Sequence, residues 1–178
     1  MARELQNAPP DVLPVRMYIA GGAALHLLVG ARVSEDVDAV FSRRVLLPEA
    51  LEVSYRDADG RARALYLDRN YNDTLGLLHE DAYRDSRPIR IAGVNAKLLE
   101  PRILAPLDLA VTKLARFSQQ DREDLELLAK QGLIDAESLR KRAEQALGNC
   151  VGDLEAIRTS IDAACRLVDS VRAPKRRK

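Results

Sequence analysis

The stretch YIAGGAALHLLVGARVSEDVDAVF, residues 18–41, contains the pattern that decides the fold. It begins as an apolar strand, passes through Gly21 and Gly22 into a short helical segment, and ends with Asp36 and Asp38 on either side of one valine. Alternate side chains of a β-strand point to the same face, so the two carboxylates would share a face while their neighbours pack into a core. Two like charges placed this way repel each other unless a cation neutralises them.

A divalent metal ion would supply that cation. Mg²⁺ prefers oxygen ligands and is commonly held by one or two protein carboxylates together with the phosphates of a substrate. The D-x-D pair alone is weak evidence, because a solvated acidic strand face gives the same pattern. Asp36 and Asp38 are therefore candidate metal ligands, and a solvated strand face is the alternative.

The glycine pair strengthens the metal hypothesis. Gly21 and Gly22 lie where a strand leads into a helix, so the N–H groups of the helix start would face a ligand beyond the strand end. Glycine leaves room for a phosphate, and the helix dipole adds a fractional positive charge. Arg32 and Ser34, just before the acidic strand, are candidate contacts to phosphate or acceptor. An ordinary turn and a solvated loop arginine are the alternatives.

The chain changes in character near Pro106. Before it, short apolar runs are broken by Gly, Pro, Asn and Asp, and Asp59-Gly60 is a hairpin signal between two strand-like runs. After it, apolar residues recur at helical spacing, for example Leu107, Ala110, Val111 and Leu114. The pattern predicts mixed strands followed by a small helical bundle.

The glycine pair, the helix and the D-x-D motif together resemble the signature of the nucleotidyltransferase superfamily. That superfamily includes DNA polymerase beta, kanamycin nucleotidyltransferase and abortive-infection nucleotidyltransferase toxins. The matching positions in this chain are Gly21, Gly22, Asp36 and Asp38. The resemblance implies that the glycines bind a nucleotide and that the aspartates bind the catalytic metal.

A second segment extends the resemblance. Residues 105–128, APLDLAVTKLARFSQQDREDLELL, are similar to the helical segment of bacterial toxin-like members, in which a lysine and downstream aspartates follow the sheet. The matching positions are Asp108, Lys113, Arg116, Asp121 and Asp124. Lys113 is implied as a catalytic and nucleotide-binding residue that meets the β or γ phosphate, and a surface lysine is the alternative. Asp121 is better interpreted as a helix cap.

The resemblance implies an α+β fold with a nucleotidyltransferase-like mixed β-sheet and flanking helices. We expect this core over residues 1–105, a helical C-terminal region over 106–172 and a basic tail over 173–178. The implied activity is Mg²⁺- or Mn²⁺-dependent transfer of a nucleoside monophosphate from an NTP to an acceptor. A toxin-like member would modify tRNA or a protein, and a partner protein would complete a toxin-antitoxin system.

The third carboxylate of catalytic members has no clear counterpart in the sequence. The run NDTLGLLHEDAYRD offers Asp73, Glu80 and Asp81, but Gly76 stands where an acid is expected. Loss of this acid would leave a nucleotide- or RNA-binding protein with weak or no turnover, acting in a paired system. This binding protein is the alternative hypothesis.

The composition gives no sign of other protein classes. The 28 Lys and Arg residues nearly balance the 27 Asp and Glu residues, so no strong overall charge indicates a nucleic acid, a membrane or an acidic partner. Cys150 and Cys165 form no C-x-x-C motif, which argues against a zinc site and a disulfide framework. With no signal-like or membrane-like run, we expect a soluble, cytoplasmic protein.

Overall fold

The computed structural model describes residues 5–6, 8–30, 36–44, 51–56, 60–68, 76–150 and 153–172. This part of the chain contains six β-strands and six α-helices, so the α+β class predicted from the sequence is confirmed. The chain divides into two compact units. In their described parts, the first comprises residues 5–68 and 85–104, and the second comprises 76–84 and 105–172.

The first unit is built on a mixed six-stranded sheet. Its strands are β1 (Val15–Ile19), β2 (Asp36–Phe41), β3 (Glu52–Arg56), β4 (Ala62–Asp68), β5 (Arg87–Pro88) and β6 (Leu99–Ile103). Their order in the sheet is β3-β4-β2-β1-β6-β5. Strand β1 is antiparallel to β2 and parallel to β6, and β2 is parallel to β4. Strands β3 and β4 form an antiparallel pair on either side of Gly60, whose φ is 76°.

That antiparallel pair confirms the predicted hairpin at the level of its strands. Asp59, the first residue of the predicted turn signal, lies outside the described residues. The two-residue period of the strands is clearest in β6, where Leu99 and Ile103 are buried and Glu100 and Arg102 are half-buried on the other face. Arg102 ties β6 to the start of β5 because its Nε donates to Ser86 Oγ at 2.7 Å. Strand β6 therefore has one apolar face and one polar face.

Helix α1 (Gly21–Val29) follows β1 directly and buries Ala24 and Leu25. It ends at Gly30, which has the left-handed φ of 68° and donates its N–H to His26 O at 2.8 Å. Glycine adopts this conformation without the steric cost that a side chain would bring, so it ends the helix here. The predicted order of strand, double glycine and short helix is therefore present.

The second unit contains most of the helical residues. Its packing comes from apolar side chains at helical spacing, including Leu109, Leu125, Leu139 and Ile161, all with at most 2% exposure. The helices are α2 (Ala82–Asp85), which crosses the boundary between the units, and then α3 (Pro106–Thr112), α4 (Gln119–Lys130), α5 (Ala136–Leu147) and α6 (Leu154–Arg172).

Local signals in the sequence account for the helix starts in this unit. Pro106 occupies the first turn of α3, where its missing N–H is not needed. Asp135 caps α5 by accepting a hydrogen bond from the N–H of Ser138 at 2.8 Å, and this bond lowers the pKa of Asp135. The C-terminal helices predicted from the sequence are thus confirmed. No helix in the described part of the chain is long and apolar enough to cross a membrane.

Candidate functional site

The first element of the candidate site is the junction of β1 with α1. Ala20 is the N-cap residue, in extended conformation, and its N–H donates to the carbonyl oxygen of Asp38 at 2.9 Å. Gly21, the first helical residue, has φ of 57°. A Cβ built on Gly21 would lie 1.7 Å from Asp38 Oδ2, so no residue larger than glycine fits without displacing that carboxylate. The Asp38 carboxylate therefore lies against the backbone at the start of α1.

Strand β2 supplies the second element. Asp36 and Asp38 are both half-buried and occupy alternate positions of the strand, while Ala39 is buried. Alternate positions share a face, so the two carboxylates are presented together, as the sequence predicts. The structure thus brings Gly21, Asp36 and Asp38 into one place within the first unit. Their roles in binding a metal and a nucleotide stay predictions.

Strand β4 lies beside the acidic strand, and the sequence did not predict this pairing. It runs parallel to β2, and its register pairs Tyr66 with Asp36 and Asp68 with Asp38. Asp68 is the last residue of β4 and takes a backbone position directly beside the acidic strand. In the sequence, Asp68 is marked only as the last residue of the strand-like run ALYLD, and this run does not indicate which strand pairs with it.

The other sequence-predicted residues of this site are distributed differently. Arg32, Ser34 and Asp73 lie outside the described residues. Glu80 and Asp81 belong to the second unit, where Glu80 is exposed. Asp81 is half-buried, pairs with Arg84 at 2.8 Å and donates its N–H to His79 Nδ1 at 3.1 Å.

The donor set at the acidic strand fits a hard divalent cation. Carboxylate oxygens suit Mg²⁺ or Mn²⁺, and two carboxylates suffice when phosphates and water complete the coordination. Gly21 keeps open the space that Asp38 Oδ2 occupies, which a Cβ would fill. Among the described residues, no group of three or more His, Cys, Asp or Glu side chains could hold a metal ion. The carboxylates of Asp36 and Asp38 would therefore suit a metal site that a substrate helps to complete.

Residues 105–128, the second segment that resembles toxin-like members, contain a cluster of buried charged side chains in the second unit. Lys113 follows the end of α3 and is only 7% exposed, so the alternative of a surface lysine is wrong. Its Nζ lies 2.5 Å from Asp124 Oδ2 and 3.8 Å from Asp121 Oδ1. These two carboxylates offset the cost of burying the ammonium. The predicted contact of Lys113 with a phosphate stays a prediction.

Asp121 is the central acid of this cluster, and its interpretation as a helix cap is confirmed. It forms a capping box with Ser118: the Asp121 N–H donates to Ser118 Oγ at 3.3 Å, and the Ser118 N–H donates to Asp121 Oδ2 at 2.9 Å. Arg116 adds two hydrogen bonds of 2.9 Å. Burial raises the pKa of Asp121, but the bonds from Arg116 and Ser118 and the Lys113 charge outweigh it and lower the pKa to about 2.

Asp108 has a separate partner. It lies in the first turn of α3 and is 1% exposed, and it receives two hydrogen bonds from Arg142 of α5, at 2.7 Å from Nε and 3.0 Å from Nη2. This bidentate pair fixes α3 against α5. The acids that the resemblance singled out in this segment, Asp108, Asp121 and Asp124, therefore all pair with cations of the same unit.

The fold and the site together define a protein class. The D-x-D strand of a mixed sheet lies against the glycine turn that joins the preceding strand and helix. The resemblance to nucleotidyltransferases implies this arrangement. A family model described as "Nucleotidyltransferase of unknown function (DUF6036)" matches residues 2–162, and the chain belongs to this family. Comparisons with curated proteins and with solved structures gave no match.

Proposed function

We propose that this protein is a metal-dependent nucleotidyltransferase that moves a nucleoside monophosphate from an NTP to an acceptor hydroxyl. The observation that carries the proposal is the packing of the Asp38 carboxylate against Gly21 at the start of α1. This packing supports the proposal because a carboxylate, a group that suits a hard cation, lies beside the backbone at a helix start, where N–H groups favour phosphate. The family's description as a nucleotidyltransferase supports the same general role.

Each part of the site has a role in this reaction. The start of α1, at Gly21 and Gly22, would bind phosphate oxygens through backbone N–H groups, and Asp36 and Asp38 would hold Mg²⁺ or Mn²⁺. When bound, the metal ion would neutralise charge on the triphosphate. The acceptor oxygen would attack the α-phosphorus, and the bond from the α-phosphorus to the oxygen that bridges it to the β-phosphorus would break. Pyrophosphate would leave, and the proton of the acceptor hydroxyl would pass to solvent water. The chain contributes mainly by positioning these groups.

Three further residues belong to the proposal. Arg32 and Ser34, which precede β2 in the sequence, are candidates for contacts to the phosphates or the acceptor. Lys113, whose Nζ lies 2.5 Å from Asp124 Oδ2, stays the candidate contact to a β or γ phosphate. The variant Lys113→Met tests its role, because loss of nucleotide affinity without loss of helical stability would indicate a phosphate contact.

Asp68 is our candidate for the third carboxylate. Its support is the backbone register, which pairs Asp68 with Asp38 on the neighbouring strand. This position replaces the sequence candidates Asp73, Glu80 and Asp81 in our proposal.

The acceptor is proposed from the resemblance of residues 105–128 to toxin-like members. It would be tRNA or a protein, and a partner protein would control the activity as in a toxin-antitoxin pair. A second candidate function is nucleotide or RNA binding without turnover. The observation that favours it is Gly76, which stands in the sequence where an acid of catalytic members is expected.

One labelling experiment separates the two functions. The protein is incubated with labelled NTP, Mg²⁺ and total tRNA, and nucleotide binding is measured in parallel. Asp38→Asn and Asp68→Asn remove proposed ligands, and Asp11→Asn, an exposed carboxylate of the first unit, is the matched control. Label in the acceptor with the wild type and Asp11→Asn but not with Asp38→Asn supports the transferase. Mg²⁺-dependent binding of nucleotide, or binding of tRNA, without transfer supports the second function, and binding of neither ligand refutes both functions.

A further inference from the structure

An exposed aromatic side chain lies beside the acidic strand. Tyr66 is 47% exposed on β4 and is the register partner of Asp36 on β2. Register partners on neighbouring strands point to the same face of a sheet, with Cβ atoms about 5 Å apart. Tyr66 therefore presents its ring on the face that carries the proposed metal ligands. An exposed ring on this face is available to stack against a planar group of a ligand bound beside Asp36.

The position of Tyr66 relative to the glycine turn limits what it can meet. Strand β2 lies between β1 and β4, and α1 starts from the β1 side with Gly21 against Asp38. Phosphates held by the start of α1 would therefore lie toward β1. The part of a nucleotide that extends away from those phosphates, which carries the base, would pass over β2 toward β4 and Tyr66.

Short or exposed side chains flank Tyr66 on the hairpin side. On the same face, the next register pair of the β3–β4 hairpin is Ser54 with Ala64, and both side chains are short. The register partner of Tyr66 on β3 is Glu52, which is exposed. With 47% of Tyr66 exposed, a planar group can reach its side chain from the hairpin side.

We propose that Tyr66 is a stacking platform for a nucleobase bound beside Asp36. The inference rests on the proposed function, since that function brings a nucleotide to Asp36 and Asp38. Every base has a π face, and stacking on an aromatic side chain strengthens binding about 5- to 150-fold. The base belongs either to the NTP or to a single-stranded RNA acceptor.

Equilibrium binding with and without a base tests the proposal directly. The first arm compares Mg·ATP with Mg·ribose 5′-triphosphate, which lacks the base. The second arm compares a short single-stranded RNA with the same RNA carrying an abasic 3′ nucleotide. The variants are Tyr66→Leu, which keeps apolar bulk without a π system, and Tyr66→Phe, which keeps the ring. Ile91→Ala, at a residue 40% exposed in the same unit, controls for loss of exposed apolar surface.

We expect the base to strengthen wild-type binding about 5- to 150-fold in one of the two arms. Tyr66→Leu should remove that difference, while Tyr66→Phe and Ile91→Ala should keep it. The arm in which the difference disappears identifies the source of the base. A base-dependent gain that Tyr66→Leu retains in both arms, or no such gain in the wild type, overturns the proposal. If the wild type transfers no label in the earlier assay but shows base-dependent binding that Tyr66→Leu loses, stacking on Tyr66 is supported and the transferase proposal is refuted.

Discussion

Replacing Asp121 by Asn tests the account of the buried charge cluster. The pKa of this carboxyl falls from the ordinary 3.8 to about 2, so folding favours its ionised form. Each pH unit of lowering is worth about 1.36 kcal/mol, which gives about 2 kcal/mol of stabilisation at neutral pH. Because the folded pKa is the lower one, this stabilisation is present above about pH 4 and is lost as the pH falls toward 2. Asp121→Asn keeps the size of the side chain but removes its charge.

Urea unfolding followed by helical circular dichroism measures the effect. At pH 7 we expect Asp121→Asn to be less stable than the wild type by about 2 kcal/mol, and we expect the difference to shrink toward zero near pH 2. Glu126→Gln, on the same helix, is the matched control because its carboxylate forms a more exposed i,i+4 pair with Lys130, worth less than about 0.5 kcal/mol. Equal losses in the two variants, or a deficit of Asp121→Asn that does not change with pH, would refute the reasoning.

Two further predictions concern a backbone position and an ion pair. Gly21→Ala should weaken Mg²⁺-dependent nucleotide binding at least about 10-fold, because the new Cβ displaces the Asp38 carboxylate. Gly30 has a similar positive φ, but a Cβ built on it would meet no atom within 4 Å. Gly30→Ala should therefore lower stability by about 1 kcal/mol and leave nucleotide binding intact. Equal nucleotide binding by Gly21→Ala and Gly30→Ala would contradict this prediction. Arg142→Met should destabilise the protein by about 3 kcal/mol because it removes the cation that pairs with the buried Asp108 carboxylate. Adding Asp108→Leu should recover most of that loss in urea unfolding, and a single variant as stable as the wild type would show that the pair is dispensable.

The features that the sequence predicted well are local ones. The alternation of Asp36 and Asp38 along one strand, and the glycine turn into a helix, depend on residues close together in the chain. The helix starts at Pro106 and Asp135 are local in the same sense, because proline and capping aspartate act on the first turn alone.

The features that the sequence could not predict depend on pairing between distant residues. The register of β4 against β2 brings Asp68 and Tyr66 beside the acidic strand, and no short-range signal specifies that pairing. The burial of Lys113 was missed for a similar reason. A lysine is usually exposed, and only the start of the next helix brings Asp121 and Asp124 close enough to neutralise it.

The division of β2 between two neighbours has a consequence for tolerance to insertions. Residues 36–38 bond to β4 and residues 39–41 bond to β1, so the strand is held on one side at its beginning and on the other at its end. Deleting or adding a single residue in this strand would reverse the side on which the following side chains emerge. Exchanging an apolar side chain there would leave the spacing of the acids unchanged, whereas a residue inserted or deleted between Asp36 and Asp38 would place the two carboxylates on opposite faces.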